Sequence, residues 1–233
     1  ARLVEDVMAE QRKLLAARLQ RPTPFIDGTL YTGWNAMAVT AYFETARVLR
    51  MDEARDFALL TLRRLLAEAW DGGENLYHVI AYPLVKNPGA ERVPGALDDY
   101  AFTIHACIDA WFASGQMEFY LAAAKLADAM IARFYDRTAG AFYDAAISAP
   151  GAVPLGALGA RRKPLQDSPT PAGNPTAAAA LLRLEALSGR SEHREIAEDT
   201  LATFAGIVEH FGLYSGSYGL ALERLLLDPL QVV

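Results

Sequence analysis

The sequence predicts an all-α protein of tandem αα-hairpins that curve into a toroid of paired helices. Three observations point there. Apolar residues recur at helical spacing through most of the chain. Three successive units share one grammar: an alanine-rich helix, a short turn, a longer helix, then a break of Asp, Gly and an aromatic residue. The turns fall at Arg50, Gly115 and Gly189, roughly 65–75 residues apart. That period is too long for ~34-residue solenoid hairpins and suits paired helices with elaborated connections. One domain is expected over 1–233, with hairpins at 28–85, 96–150 and 172–215.

Residues 2–20 place Leu3, Val4, Val7, Met8, Leu14, Leu15 and Leu19 among charges, as an amphipathic helix does. Arg21-Pro22-Thr23-Pro24 stops it, because proline lacks the N–H donor and pushes its predecessor out of the α region. A loop through Asp27-Gly28 leads to a helix from about 34 to 49. After a turn at 50–52 a second helix runs over 53–70, with Phe57, Leu60, Leu65 and Leu66 as its expected buried stripe. Asp71-Gly72-Gly73 ends it, and 74–85 reads as a short strand or hairpin.

The second unit repeats this order. Helices are expected over 98–112 and 117–135, then a break at 136–140 and an extended stretch at 141–144. The third begins at Asn174-Pro175, where proline suits the first helical turn. Helices follow over 176–187 and 192–211. A last one spans about 219–227, before Asp228-Pro229. Alanines gather in the first helix of each unit: Ala36, Ala38 and Ala41; Ala101, Ala106 and Ala110; Ala177 to Ala180. Small side chains allow close helix approach, so these helices form the expected inner ring, although alanine is also simply the best helix former.

The chain has 233 residues, 52% hydrophobic, with 28 acidic against 22 basic residues. A formal charge of -6 gives no basic footprint for nucleic acid. The one basic cluster, Arg161-Arg162-Lys163 beside Pro164, reads as a solvated loop. No run is apolar enough for a membrane span. Cys107 is the only cysteine, so no intrachain disulfide or thiolate cluster can form; a cytoplasmic setting fits. Neither HExxH nor GxGxxG nor a P-loop occurs, and no metal or cofactor is expected.

Three stretches carry a resemblance. Arg12-Lys13-Leu14-Leu15 is followed by Arg21, Pro24, Asp27, Leu30 and Trp34-Asn35; then comes Leu97-Asp98-Asp99-Tyr100-Ala101-Phe102; then Pro171-Ala172-Gly173-Asn174 runs into Leu181-Leu182-Arg183-Leu184. Together, in this order, they resemble the spermatogenesis-associated protein 20 family, whose bacterial members pair a thioredoxin-like domain with a six-hairpin helical toroid. The resemblance covers most of the chain and implies an (α/α)6 barrel of the six-hairpin glycosidase-like type. N-acylglucosamine 2-epimerases and unsaturated glucuronyl hydrolases have barrels of this kind. Thr29 stands where the family has lysine, and Ala36 where a glycine is expected. No thioredoxin-like portion is present. With about three of six hairpins, the chain looks like the C-terminal half of such a barrel or an abbreviated relative. It is then expected to self-associate or to pair with a missing N-terminal half.

The polar clusters that open the inner helices are the candidate site. Sugar cleavage needs two carboxylates ~5–9.5 Å apart, one protonated and one ionised. Asp98, Asp99 and Asp27 are the catalytic candidates, with Asp167 on the same predicted rim. Adjacent carboxylates cannot both face one substrate, so one of Asp98 and Asp99 reads as a helix cap. Tyr100 reads either as a sugar contact or as a core ring with its hydroxyl tied to backbone. Trp34 can stack on a sugar or pack, and Asn35 and Asn174 can offer amides, Asn174 also being a routine N-cap.

An epimerase of this fold class would use histidine as acid and base. His105, two turns beyond Asp98, reads as a candidate on the inner face or as a core residue. His78 is a weaker candidate, and His193 and His210 look exposed. Two functions remain open: a glycoside hydrolase- or epimerase-like domain with a carbohydrate ligand, or a non-catalytic scaffold whose acidic motifs are caps. Rim carboxylates consumed by backbone donors would mark the scaffold.

Overall fold

The computed structural model describes residues 2–24, 27–81, 92–146 and 160–227. Seven of the described helices give the fold its form: α2 (Thr32–Leu49), α3 (Asp52–Ala69), α4 (Leu97–Ser114), α5 (Met117–Phe134), α6 (Gly173–Ser188), α7 (Ser191–Phe204) and α8 (Gly216–Leu226). α1 (Arg2–Leu19) precedes them. Two short strands, β1 (Thr29–Tyr31) and β2 (Val79–Ala81), pair antiparallel, with Tyr31 opposite Val79. The predicted hairpin ends at 85 and 150 and the break at Asp228-Pro229 lie outside the described residues.

The helices form two layers. α2, α4, α6 and α8 pack side by side in that order, and α3, α5 and α7 back α2, α4 and α6. The alanine-rich helices therefore make the inner layer. Ala36, Ala101, Ala106, Ala110, Ala177, Ala178 and Ala180 are all buried, and small side chains let the inner helices approach one another closely. Leu62, Tyr100, Ile104, Ile108, Phe119, Leu126, Met130, Phe134 and Leu181 fill the space between layers.

The repeat is visible in the turns. α2, α4 and α6 each end on a left-handed residue, Arg50, Gly115 and Gly189, whose N–H returns to Ala46, Trp111 and Glu185. Glycine takes that conformation at little cost, and Arg50 takes it with a side chain. The Asp/Gly/aromatic breaks also repeat. After α3, Asp71 Oδ1 accepts the N–H groups of Gly73 and Asn75, and Trp70 bridges Leu76. After α5, Asp136 Oδ1 accepts those of Thr138 and Ala139, and Tyr135 bridges Phe142.

Several expectations change. β1 lies where a loop was expected, because its partner is 48 or more residues away in the chain. On α3 the buried face is Ala54, Ala58, Leu59, Leu62, Leu65 and Ala69, while Phe57 and Leu60 are exposed. α7 stops at Phe204, and a 3-10 segment over Val208–Ser215, kinked at Gly212, precedes α8. α1 packs substantially on no other described element, so its apolar residues Leu3, Val4, Val7, Met8, Leu14, Leu15 and Leu19 stay exposed. The basic cluster is not free in solvent: Arg161 lies over the Tyr143 ring at 3.9 Å and Lys163 pairs with Asp136 at 2.9 Å.

Candidate functional site

The N-terminal ends of the inner helices lie side by side, and an aspartate joins two of their three junctions. At the α2–α4 junction, Asp99 Oδ1 accepts the Gly33 N–H at 2.9 Å and Oδ2 accepts the Ala96 N–H at 2.8 Å. A Cβ at Gly33 would stand 3.1 Å from Asp99 Oδ1, so a side chain there would push the carboxylate by a few tenths of an ångström. At the α6–α8 junction, Asp167 accepts the N–H groups of Ala172 and Ser217, each at 2.8 Å, and the Ser217 hydroxyl. Between them, α4 and α6 approach so closely that a Cβ on Gly173 would collide with the Asp98 carboxylate and the Leu97 side chain.

Asp99 is only 2% exposed, and its second oxygen also meets His78 Nδ1 at 2.8 Å. A carboxylate oxygen only accepts, so His78 Nδ1 carries a proton and donates it to Asp99. The His78 side chain is 40% exposed, and its Nε2 bonds to no described residue. Burial raises the Asp99 pKa, while the bonds from Ala96, His78 and Gly33 oppose that shift.

Asp98 differs from its neighbour. It is half-buried against α6 and makes no hydrogen bond or ion pair with a described residue. Burial, followed by the charges of Asp99 and Asp144, raises its pKa to about 6; His78 counters weakly. A carboxyl that is part protonated near neutrality can give or take a proton.

The β1–β2 pairing seats Tyr31 edge-on against His78, ring centroids 5.4 Å apart. Trp34, 61% exposed on the first turn of α2, lies against Tyr31 at 4.7 Å. An aromatic surface thus runs from solvent to the His78–Asp99 pair.

The remaining candidates are engaged elsewhere. Asp27 is exposed, and its Oδ1 closes a local turn with the Thr29 N–H; the Thr29 hydroxyl and then this N–H hold its pKa below the usual aspartate range. Tyr100 is fully buried, donating to the Glu74 carbonyl and accepting from the Leu76 N–H; it is core. Asn174 is fully buried and does not cap its own helix. Its amide instead holds the Phe142 N–H and carbonyl and the Pro164 carbonyl. Asn35 bonds the Tyr31 carbonyl.

His105 holds the Thr176 carbonyl through Nε2 at 3.1 Å and accepts from Arg183 through Nδ1 at 2.9 Å. Burial and the Arg183 charge push its pKa down to about 3. Fixed as a neutral ring with both nitrogens occupied, it is no acid or base near neutral pH. His193 is buried, against the exposed position expected for it, and neither ring nitrogen has a partner. Nothing near it in sequence predicted that burial. Among the described residues no group of three or more His, Cys, Asp or Glu side chains could hold a metal ion. No described helix is long and apolar enough to cross a membrane.

No protein-family model matches the chain. It is similar in sequence to spermatogenesis-associated protein 20 of Homo sapiens, 28% identical over 186 residues, and to the Mus musculus protein, 26% identical over 183. Each alignment covers 77% of this chain but only 23% and 22% of the relative, so the chain spans about a quarter of their length. The fold is that of the six-hairpin helical toroids. A glycoside hydrolase family 76 alpha-mannanase from Bacteroides thetaiotaomicron superposes with a TM-score of 0.64 at 13% identity, over 88% of this chain and 54% of that one. A cellobiose 2-epimerase from Bacillus thermoamylovorans gives 0.60 at 15%, over 76% and 45%. An unsaturated glucuronyl hydrolase from Bacillus sp. GL1 gives 0.59 at 18%, over 89% and 61%.

Proposed function

We propose that this chain is a carbohydrate-active domain of the epimerase-like kind, working by proton transfer at its rim. The observation that carries this is the neighbouring pair of unlike groups: Asp98, without a hydrogen bond to a described residue and with a pKa of about 6, and His78, held by Asp99 with Nε2 meeting no described residue. Two-carboxylate hydrolysis fits less well, because Asp27, Asp99 and Asp167 already hold backbone donors and Asp98 is left without a free acidic partner among them.

In the two-base form, His78 Nε2 removes the proton from the carbon next to the open-chain sugar's carbonyl. The C–H electron pair forms the enediolate double bond and the carbonyl oxygen takes the charge. Asp98, protonated, then gives its proton to that carbon from the opposite face as the carbonyl re-forms. The substrate gains and loses one proton and no electrons, so no redox cofactor enters. Trp34 and Tyr31 supply an aromatic face for a sugar ring. Solved relatives of this fold include sugar epimerases and glycoside hydrolases, which supports a sugar as ligand by analogy of fold.

The test is proton exchange. Aldoses and disaccharides are incubated with the protein in D2O, and deuterium at C2 is followed by NMR. Exchange by the wild type, abolished in Asp98→Asn and His78→Gln while thermal-shift binding persists, is the expected result. The same consumed carboxylates favour a second reading, a scaffold whose acidic motifs are caps. No sugar-induced thermal shift and no exchange would decide for the scaffold.

A further inference from the structure

On α4 only Asp98, His105 and Asp109 break an otherwise buried run from Leu97 to Ala110. Their spacing puts them on one face, with His105 ~10 Å along the helix from Asp98. At that depth a cavity of about 460 Å³ is lined by His105, Ala179, Arg183, Leu220, Glu223 and Arg224, with Leu227 at its edge. The volume suits a small ligand.

The charges of this cavity are unevenly matched. Arg183 is spent: it pairs with Asp109, at side-chain exposures of 15% and 18%, and donates to His105. Arg224 has no hydrogen bond or ion pair with any described residue, Glu223 included. Its position is set by the buried side of α8, where Tyr218, Ala221 and Leu225 pack inward. Burial and the neighbouring Arg183 charge both disfavour its charged form, and Asp109 and Glu223 only partly offset them. A guanidinium left partly desolvated and unpaired favours an arriving acid group. Glu223 on the same wall opposes a second negative charge.

We infer that this cavity binds the carboxylate of a monoanionic sugar acid, a uronate, with Arg224 as the recognising residue. The inference deepens the carbohydrate reading above by naming the substrate class, and it rests on that reading. Neutral His105 and Arg183, which Asp109 holds in place, line the cavity beside Arg224, and Leu220 and Leu227 supply apolar wall for the ring.

Calorimetric titration of the protein with glucuronate, glucose and glucose 6-phosphate tests this, alongside Arg224→Gln and Arg224→Lys. The wild type is expected to bind glucuronate about tenfold or more tighter than glucose, the size of one charge-assisted contact. Arg224→Gln should bring the two sugars level without changing the melting temperature, since Arg224 pairs with no described residue. Arg224→Lys should restore part of the preference. Glucose binding as tightly as glucuronate, or a preference that survives Arg224→Gln, overturns the inference and leaves the carbohydrate reading standing. Tighter binding of the dianionic phosphate overturns the uronate assignment. Binding of none of the three overturns the inference, while the C2 exchange assay judges the broader reading separately.

Discussion

The α2–α4 and α6–α8 junctions use one device, an aspartate gathering backbone N–H groups from two helix starts, yet their surroundings differ. Asp167 faces only backbone donors and the Ser217 hydroxyl. Asp99 holds the equivalent donors and a histidine whose far nitrogen is open to solvent. Next to Asp99, Asp98 meets no hydrogen-bond donor among the described residues. The same capping chemistry thus gives a purely structural clamp in one place and a titratable cluster in the other. The difference comes from what packs against each: the β1–β2 pair brings His78 to Asp99, and no comparable element among the described residues reaches Asp167.

The largest expected effect of breaking the comparison is at Asp99. Asp99→Ala strands two N–H groups at a buried position and removes the partner of the half-exposed imidazole, and is expected to cost about 3–5 kcal/mol in urea unfolding. Asp167→Ala strands similar donors at a half-buried position and should cost less, about 1–3 kcal/mol. Equal costs would mean that His78 and burial add nothing at the first junction.

Asp98 should move stability the other way. Its carboxyl titrates near 6 in the fold against 3.8 ordinarily, so the fold disfavours its ionised form. The stability linked to this group is full below 3.8 and is lost as pH rises through 6. Asp98→Asn is therefore expected to stabilise the protein at pH 7 by about 1–2 kcal/mol, allowing for its partial exposure, with the gain gone by about pH 4. His105 has the opposite sign. Its pKa falls to about 3, so its contribution is present above 6.5 and is lost as pH falls through 3. Denaturation followed from pH 7 to 4 in wild type, Asp98→Asn and His105→Gln separates the two slopes.

The smallest expected change in stability is at Trp34, which is mostly exposed. Trp34→Ala should shift unfolding by less than about 0.5 kcal/mol while weakening any sugar-induced thermal shift. A large loss of stability would make the aromatic surface a packing feature.

Much of the architecture was legible in the sequence because it rests on local chemistry. Helical periodicity, the turns at Arg50, Gly115 and Gly189, and the Asp/Gly/aromatic breaks act within a few residues. Alanine-rich stretches marked the inner layer because close packing demands small side chains. What local pattern could not give was β1, whose partner strand is distant in sequence, and the buried face of α3, where Phe57 and Leu60 looked inward.

The candidate site was legible only as a set of polar residues near helix starts. Which of them were free depended on which backbone donors each met, and those donors lie up to 66 residues away. Sequence alone thus determined the helices, their pairing into hairpins and the presence of acidic groups at the inner-helix starts, since propensity and periodicity are local. Tertiary structure decided that Asp99 is a clamp, that Asp98 meets no described donor, that Tyr100 is core and that His78 joins Asp99. Hydrogen-bond satisfaction and desolvation are set by neighbours that only folding brings together.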